Sequence, residues 1–385
     1  MQNLKLINQT WEAIIKMKLK IKNISATAGI MMLGMHTLAN AVSVDEKISV
    51  HGYGDTGYIR AIENNYTKKP SGNNWDYNYL SVNFTAQVDE KTKIVAQIRQ
   101  GSEITGDMGA YVNYNMTDNL TARAGQMKVP AGIFNEIRDI KFLQLSELTP
   151  LMYQDAAGTL PDSFKGVETI YHIDMGSHRL TFDVYGGEPK GANSYIPQSP
   201  TYFVMVQNIY GGRLTYKTPL GLKLSLSTFQ NDLLSTTGTA GVPSPTAIPA
   251  DGVRKLSSAS IDYRNYNFDM KMEYAIATQF PNSPSEVNGK AYYGQFGYTF
   301  ADKFTPYVRY DYLLYNNDMV DNPMYYQQAK VFGFTYRLNN NVSLRMENHW
   351  NHGYAIPANI QGGNFNSTTA KLDWNLFAMG INFIF

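Results

Sequence analysis

Charged side chains of opposite sign recur two residues apart in this chain: Lys271 and Glu273, Arg309 and Asp311, Arg345 and Glu347. On an extended strand that spacing puts both members of a pair on one face. Arg99, Arg123, Glu168 and Asp183 fall on the same polar phase, giving five bases against five acids. Charges lining a wet wall sort ions by sign and field, so equal numbers predict no strong preference. The competing reading of each charge is a solvated wall residue paired across its strand, where exposed pairs contribute little. Other chemistry is poorly supplied. The two histidines of His349-Trp350-Asn351-His352 would point to opposite faces of a strand and share no metal. Gly52, Gly54 and Gly57 precede no helix, which excludes a phosphate-binding loop and leaves bending or close packing. There is no G-x-S-x-G, H-E-x-x-H or P-loop sequence.

Composition narrows the elements that must carry these residues. The chain has 385 residues, 33 Lys+Arg, 32 Asp+Glu and no cysteine. Without cysteine there is no disulfide framework, thiolate metal site or cysteine nucleophile. Only 17% of residues are charged, against about 25% in ordinary soluble domains. Aromatics reach 13%, with 28 Tyr and 18 Phe. That composition opposes disorder, and the near-zero net charge leaves no footprint for nucleic acid. Mean hydropathy of -0.32 excludes a bundle of membrane helices.

Residues 1–41 read as an export leader. Lys16, Lys18, Lys20 and Lys22 form a basic region, Ile24 to Leu38 is apolar, and Ala39-Asn40-Ala41 is an A-x-A cleavage site. Met17 is an alternative start. The remainder, 42–385, reads as a single domain.

Its dominant signal has period two. Leu80, Val82, Phe84, Ala86 and Val88 alternate with Ser81, Asn83, Thr85 and Gln87, and similar runs recur to the end of the chain. Segments of about ten residues with one oily and one wet face are the signature of a membrane β-barrel. Short turns are expected at 89–92, 117–119, 174–178, 217–221, 264–267, 301–303 and 338–341. Long connections are expected at 62–76, 101–107, 129–163, 188–199, 231–252, 278–289, 313–324 and 353–368. Together they join about 16 antiparallel strands closed into a barrel, wide enough to leave an aqueous channel. Closure is obligatory, because each unpaired backbone group in hydrocarbon costs several kcal/mol. Pro306 fits awkwardly in the thirteenth strand and marks either a bulge or a misplaced strand boundary. Tyr171, Tyr216, Tyr263, Phe268, Tyr298, Phe300, Phe304 and Tyr336 sit beside short turns on the apolar phase, as an interfacial girdle would.

The final segment, Asn375 to Phe385, alternates with Phe377, Met379, Ile381, Phe383 and Phe385 on one face. It resembles the C-terminal recognition strand of Gram-negative outer-membrane porins. The segment Gly125-Gln126-Met127-Lys128-Val129-Pro130-Ala131-Gly132 is similar to the strand-to-loop entry of the phosphate-selective porin group. The resemblance implies outer-membrane localisation and lipid as surroundings. It also implies assembly by the barrel-assembly machinery, a homotrimer, no cofactor, and a third outer loop folded into the pore. That group's dense basic ladders have no counterpart here, which puts phosphate selectivity in doubt.

The longest connection, 129–163, holds Ile133, Phe134, Ile137, Phe142, Leu143 and Leu145 among Glu136, Arg138, Asp139 and Lys141. Apolar residues at that density suit a loop tucked inside the barrel; a surface-packed loop or a subunit contact is the alternative. Arg99 and Arg123 are expected to face Glu136 and Asp139 across the constriction. The leading expectation is a passive diffusion channel for small polar solutes, not an enzyme. The alternatives are a barrel lipase or protease, whose catalytic set would have to involve His51 or His172, and an adhesive barrel with a plugged lumen.

Overall fold

The computed structural model describes residues 47–67, 72–101, 107–154, 160–189, 193–195, 202–239, 242–243, 252–279, 286–361 and 365–385. The leader reading lies outside these residues.

Sixteen long strands form the wall. They are β1 Ile48–Ala61, β2 Asn73–Gln87, β3 Thr92–Gly101, β4 Asp107–Asn115, β5 Leu120–Lys128, β6 Ser163–Met175, β7 His178–Pro189 and β8 Tyr202–Lys217. There follow β9 Leu222–Thr239, β10 Gly252–Asn265, β11 Phe268–Gln279, β12 Val287–Tyr298, β13 Phe304–Leu314, β14 Tyr326–Arg337, β15 Val342–Gly353 and β16 Asp373–Ile384. Each pairs antiparallel with the next, and β1 pairs with β16 from Tyr53↔Ile384 to Ala61↔Leu376, so the sheet closes. Two short strands, Asn193–Tyr195 and Val242–Pro243, extend β8 and β9 above the wall.

All seven expected short turns are present, and eight longer connections alternate with them. The boundaries differ most at β9, which runs to Thr239, past the expected strand end near residue 231.

The alternation decides the two faces. Met272, Tyr274 and Ile276 are 47–49% exposed, whereas Lys271 and Glu273 between them are 1% and 3% exposed. The oily rows therefore face outward and the charged rows inward. Among the turn-side aromatics, Phe268 meets Tyr298 edge-on at 5.0 Å and Phe304 meets Phe334 at 5.4 Å.

The closing seam explains two of the glycines. A Cβ on Gly52 would overlap the Phe385 ring, and one on Gly54 would overlap the Phe383 ring. The terminal rings thus lie flat on the outer face of β1. Pro306 makes no bulge. Its register with β14 is unbroken (Pro306↔Phe334), and pairing with β12 has already ended at Gly297↔Tyr307. The missing N–H therefore falls where the ladder has stopped.

Candidate functional site

The site is the barrel's interior and the described parts of the third long connection, 129–154 and 160–162, that enter it. At the entry, Gly132 adopts φ +63, and a Cβ there would overlap the Tyr153 hydroxyl and the Glu273 carboxylate. Glycine alone tolerates both the left-handed backbone and this close approach. The Gly132 N–H donates to Ser227 Oγ at 3.1 Å, and the Ile133 N–H donates to Glu273 Oε2 at 2.9 Å. The Tyr153 hydroxyl donates to the same Glu273 carboxylate.

The second half of the loop is held in the same way by strands further along the same flank. Glu347 accepts the N–H groups of Glu147 and Leu148, both at 2.9 Å, as well as the Tyr307 hydroxyl. His349 Nε2 lies 2.7 Å from Glu347 Oε1. Arg309 pairs with Asp311 at 2.7 Å and donates through Nη1 to the Leu148 carbonyl at 2.9 Å. Thr335 donates to the Leu145 carbonyl at 2.7 Å. These partners all belong to inward-facing rows, which places the loop against the inner wall. Inward carboxylates satisfy loop N–H groups that would otherwise be buried without a partner.

An apolar contact supports these bonds. Phe134 lies 5.7 Å from both Tyr153 and Tyr293, ring centre to ring centre. Val129, Ala131 and Phe134 are fully buried, whereas Leu143 is 43% exposed and does not pack inward as its type suggested.

Several expected channel-lining residues are corrected by this packing. Lys271, Glu273, Arg309, Asp311, Arg345 and Glu347 point inward but are at most 3% exposed. Those that the loop engages act as its anchors. Lys141 is likewise buried, and its ammonium donates to the Glu147 carbonyl inside the loop. Arg345 lies in a buried polar cluster with Glu147 and Asp55. There Asn382 Nδ2 donates to Asp55 Oδ1 at 2.8 Å and to Glu147 Oε2 at 3.4 Å. Burial, with the Asp55 carboxylate beside it, pushes the Glu147 carboxyl well above the usual range.

Charges that remain accessible gather on the other side of the loop. Arg99 and Lys128 both pair with Asp139. Lys128 also reaches Asp162 at 2.5 Å, and Arg138 pairs with Asp162 at 2.8 Å. Burial opposes ionisation of Asp139, but Lys128, Arg99 and Arg138 outweigh it and hold the carboxyl well below its usual range. Arg99, Lys128, Asp139 and Asp162, together with Glu136, border a recess of about 180 Å³, whose lining includes Tyr53, Gln97 and Tyr111.

Arg123 does not pair with Glu136. It bonds Asn113 at 2.7 Å and Glu168 at 3.2 Å. Glu136 pairs instead with Arg213, which also holds Asp183 at 2.8 Å. Despite the opposing effect of burial, that guanidinium holds the Glu136 carboxyl below its usual value. Arg213, Lys128 and the inward tyrosines were missed by sequence reasoning. Arg213 and Thr215 share one face and Leu214 between them takes the other, so period two alone would have found it.

The last long connection also turns inward, which was not expected. It carries a helix, Ala355–Gln361, with Ala355, Ile356 and Ala358 at most 1% exposed. Gln327 Oε1 accepts the Ile356 N–H at 3.1 Å, and Gln361 donates to the Asn65 carbonyl at 2.8 Å. Tyr66 in turn donates to Gln154, so the first, third and eighth outer connections are tied together. Among the described residues no cluster of potential ligands could hold a metal. His349 and His352 do point to opposite faces, the first buried on Glu347 and the second 2.7 Å from Asp373.

No protein-family model matches the chain, and no curated protein matches it by sequence. Solved structures do. OmpT of Vibrio cholerae, described as outer-membrane expressed, aligns with a TM-score of 0.58 at 14% identity, over 90% of this chain and 100% of that one. The anion-selective porin from Comamonas acidovorans aligns at 0.54 and 11% identity, over 88% and 99%. OmpF of Salmonella typhi, in complex with daunomycin, aligns at 0.53 and 11% identity, over 88% and 97%. At these identities the likeness is one of fold: a porin-like outer-membrane barrel.

Proposed function

We propose that the protein is a passive diffusion channel for small hydrophilic solutes and ions in the outer membrane of a Gram-negative bacterium. The observation that carries this reading is the inward loop, held by wall carboxylates on one side and bordering a charged recess on the other. Such a loop narrows a wide barrel without sealing its backbone groups away from partners. The recess mixes Arg99 and Lys128 with Glu136, Asp139 and Asp162, which favours weak ion preference over a phosphate-selective ladder. The barrel works as a homotrimer, and the Phe377-to-Phe385 face is the strand read by the assembly machinery. We assign the barrel no catalytic role; among the described residues, the recess is lined by no nucleophile-and-base set. Reconstitution in planar bilayers under a salt gradient tests the reading. Stepwise currents with a small reversal potential are expected; a silent barrel refutes the channel, and a strongly anionic reversal potential restores the phosphate alternative. Hydrolysis of lipid or peptide by the purified protein would instead establish a barrel enzyme.

A further inference from the structure

The outward face is oily, yet three lysines stand on it in one region. Lys255 is the fourth residue of β10, Lys290 the fourth of β12 and Lys330 the fifth of β14. All three strands begin at long connections, so the lysines share the outer end of the wall. Each falls on the phase of the exposed apolar residues, beside Thr278, Ile276 and Tyr310 respectively on the neighbouring strands. None makes an ion pair among the described residues. Across the outward rows of β10 to β14 there is no Asp or Glu. By contrast, Lys165 on β6, also outward, stands opposite Glu188 on β7.

Register fixes their spacing. The row through Lys255 reaches β12 at Asn288, two residues before Lys290. The row through Lys290 reaches β14 at Tyr326, four residues before Lys330. With strands about 4.8 Å apart and a rise of about 3.4 Å per residue, successive Cα atoms lie roughly 12 and 16 Å apart. Hydroxyl-bearing rings fill the gaps. Tyr292 and Tyr312 stack at 5.0 Å, and the Tyr310 hydroxyl donates to Gln328 at 3.1 Å. Below this row the wall returns to Met272, Phe296, Val308 and Phe332.

We propose that the outer end of β10 to β14 is a binding site for a phosphorylated lipid of the outer leaflet. Its phosphates sit on Lys255, Lys290 and Lys330, and its acyl chains lie along the apolar rows beneath. This rests on the membrane-barrel reading. Uncompensated ammonium groups at headgroup depth attract phosphate, and their long stems cover apolar surface while the charge reaches the interface. Amphipathic tyrosines suit the same depth. Lysines that merely reach for water would not need a stretch of outward wall free of acids.

The test uses the full-length barrel and the triple variant K255Q/K290Q/K330Q, with K165Q as a control. Each is refolded in detergent with diphosphorylated lipid A, and retained lipid is counted by native mass spectrometry. Wild type and K165Q should retain the lipid at least tenfold more than the triple variant. The dephosphorylated lipid should be retained equally poorly by all three. Equal retention of the phosphorylated lipid by wild type and triple variant overturns the proposal. So does a change in oligomer mass with lipid retention unchanged, which would make the patch a contact between copies. Heat-modifiable mobility and bilayer current are recorded in parallel. A wild-type barrel that conducts but retains no lipid sinks this proposal alone, whereas one that never inserts sinks the membrane reading as well.

Discussion

Replacing Asp139 with Asn should make the channel more anion-selective. Around the recess, Arg99 and Lys128 stand against Glu136, Asp139 and Asp162, so the substitution takes the local balance from -1 to 0. An ion passing about 7 Å away feels the lost charge as about 0.6 kcal/mol in water, and physiological salt roughly halves this. Anions gain what cations lose, so the permeability ratio shifts about two- to threefold. Under a tenfold salt gradient that is on the order of 20 mV of reversal potential, because a tenfold ratio for a univalent ion corresponds to about 59 mV. The assay is the single-channel current–voltage curve of wild type and D139N in potassium chloride. Because its basic neighbours depress the Asp139 pKa, the wild-type carboxylate stays ionised as pH falls through the ordinary carboxylate range. The difference between the two proteins should therefore persist at pH 5. No shift, or a shift toward cations, would show that solutes do not pass this recess.

Gly132→Ala forces a Cβ into the Tyr153 and Glu273 contact at a left-handed position. It should cost about 1–3 kcal/mol of local loop stability, read as faster protease cleavage within 129–162 and noisier, larger currents. Gly52→Val would overlap the Phe385 ring at the seam, and overpacking of about 1–3 kcal/mol should lower the urea midpoint of the folded barrel. Glu147→Gln should alter the pH dependence of stability. The carboxyl's raised folded pKa means that stability falls as pH rises from the unfolded value of 4.5 toward the folded one. Urea midpoints at pH 5 and pH 9 should therefore differ less in the variant than in wild type; an equal difference would clear Glu147.

The wall was legible because its rule is local. Tight turns announce themselves in Asp, Asn and Gly, and a strand between oil and water must alternate. What covers the inner face was not legible, because it is decided by residues far apart in sequence. Glu347 reads as a solvated wall charge until Glu147 and Leu148, 200 and 199 residues earlier, place their N–H groups on it. Trp374, Leu376 and Ala378 stand on the nominally wet face of β16, yet they are buried with Leu148. Density of apolar residues in 129–163 suggested a tucked loop, but gave no register. Arg99 and Arg123 could be set jointly against Glu136 and Asp139, but which guanidinium meets which carboxylate was not legible, because Arg213, between Glu136 and Asp183, lies far along the chain.

The inserted loop and the helix Ala355–Gln361 give the cylinder two unlike flanks. The flank of β11 to β16 bears mechanical load: its carboxylates, guanidinium groups and rings are spent on holding chain in place. The flank of β1 to β5 borders the recess and is where traffic would brush the protein. Substitutions on the first flank should therefore register as fragility, and those on the second as altered sieving. A single closed ribbon thereby keeps its scaffold duty apart from its filter, and the filter is free to be retuned without loosening the frame.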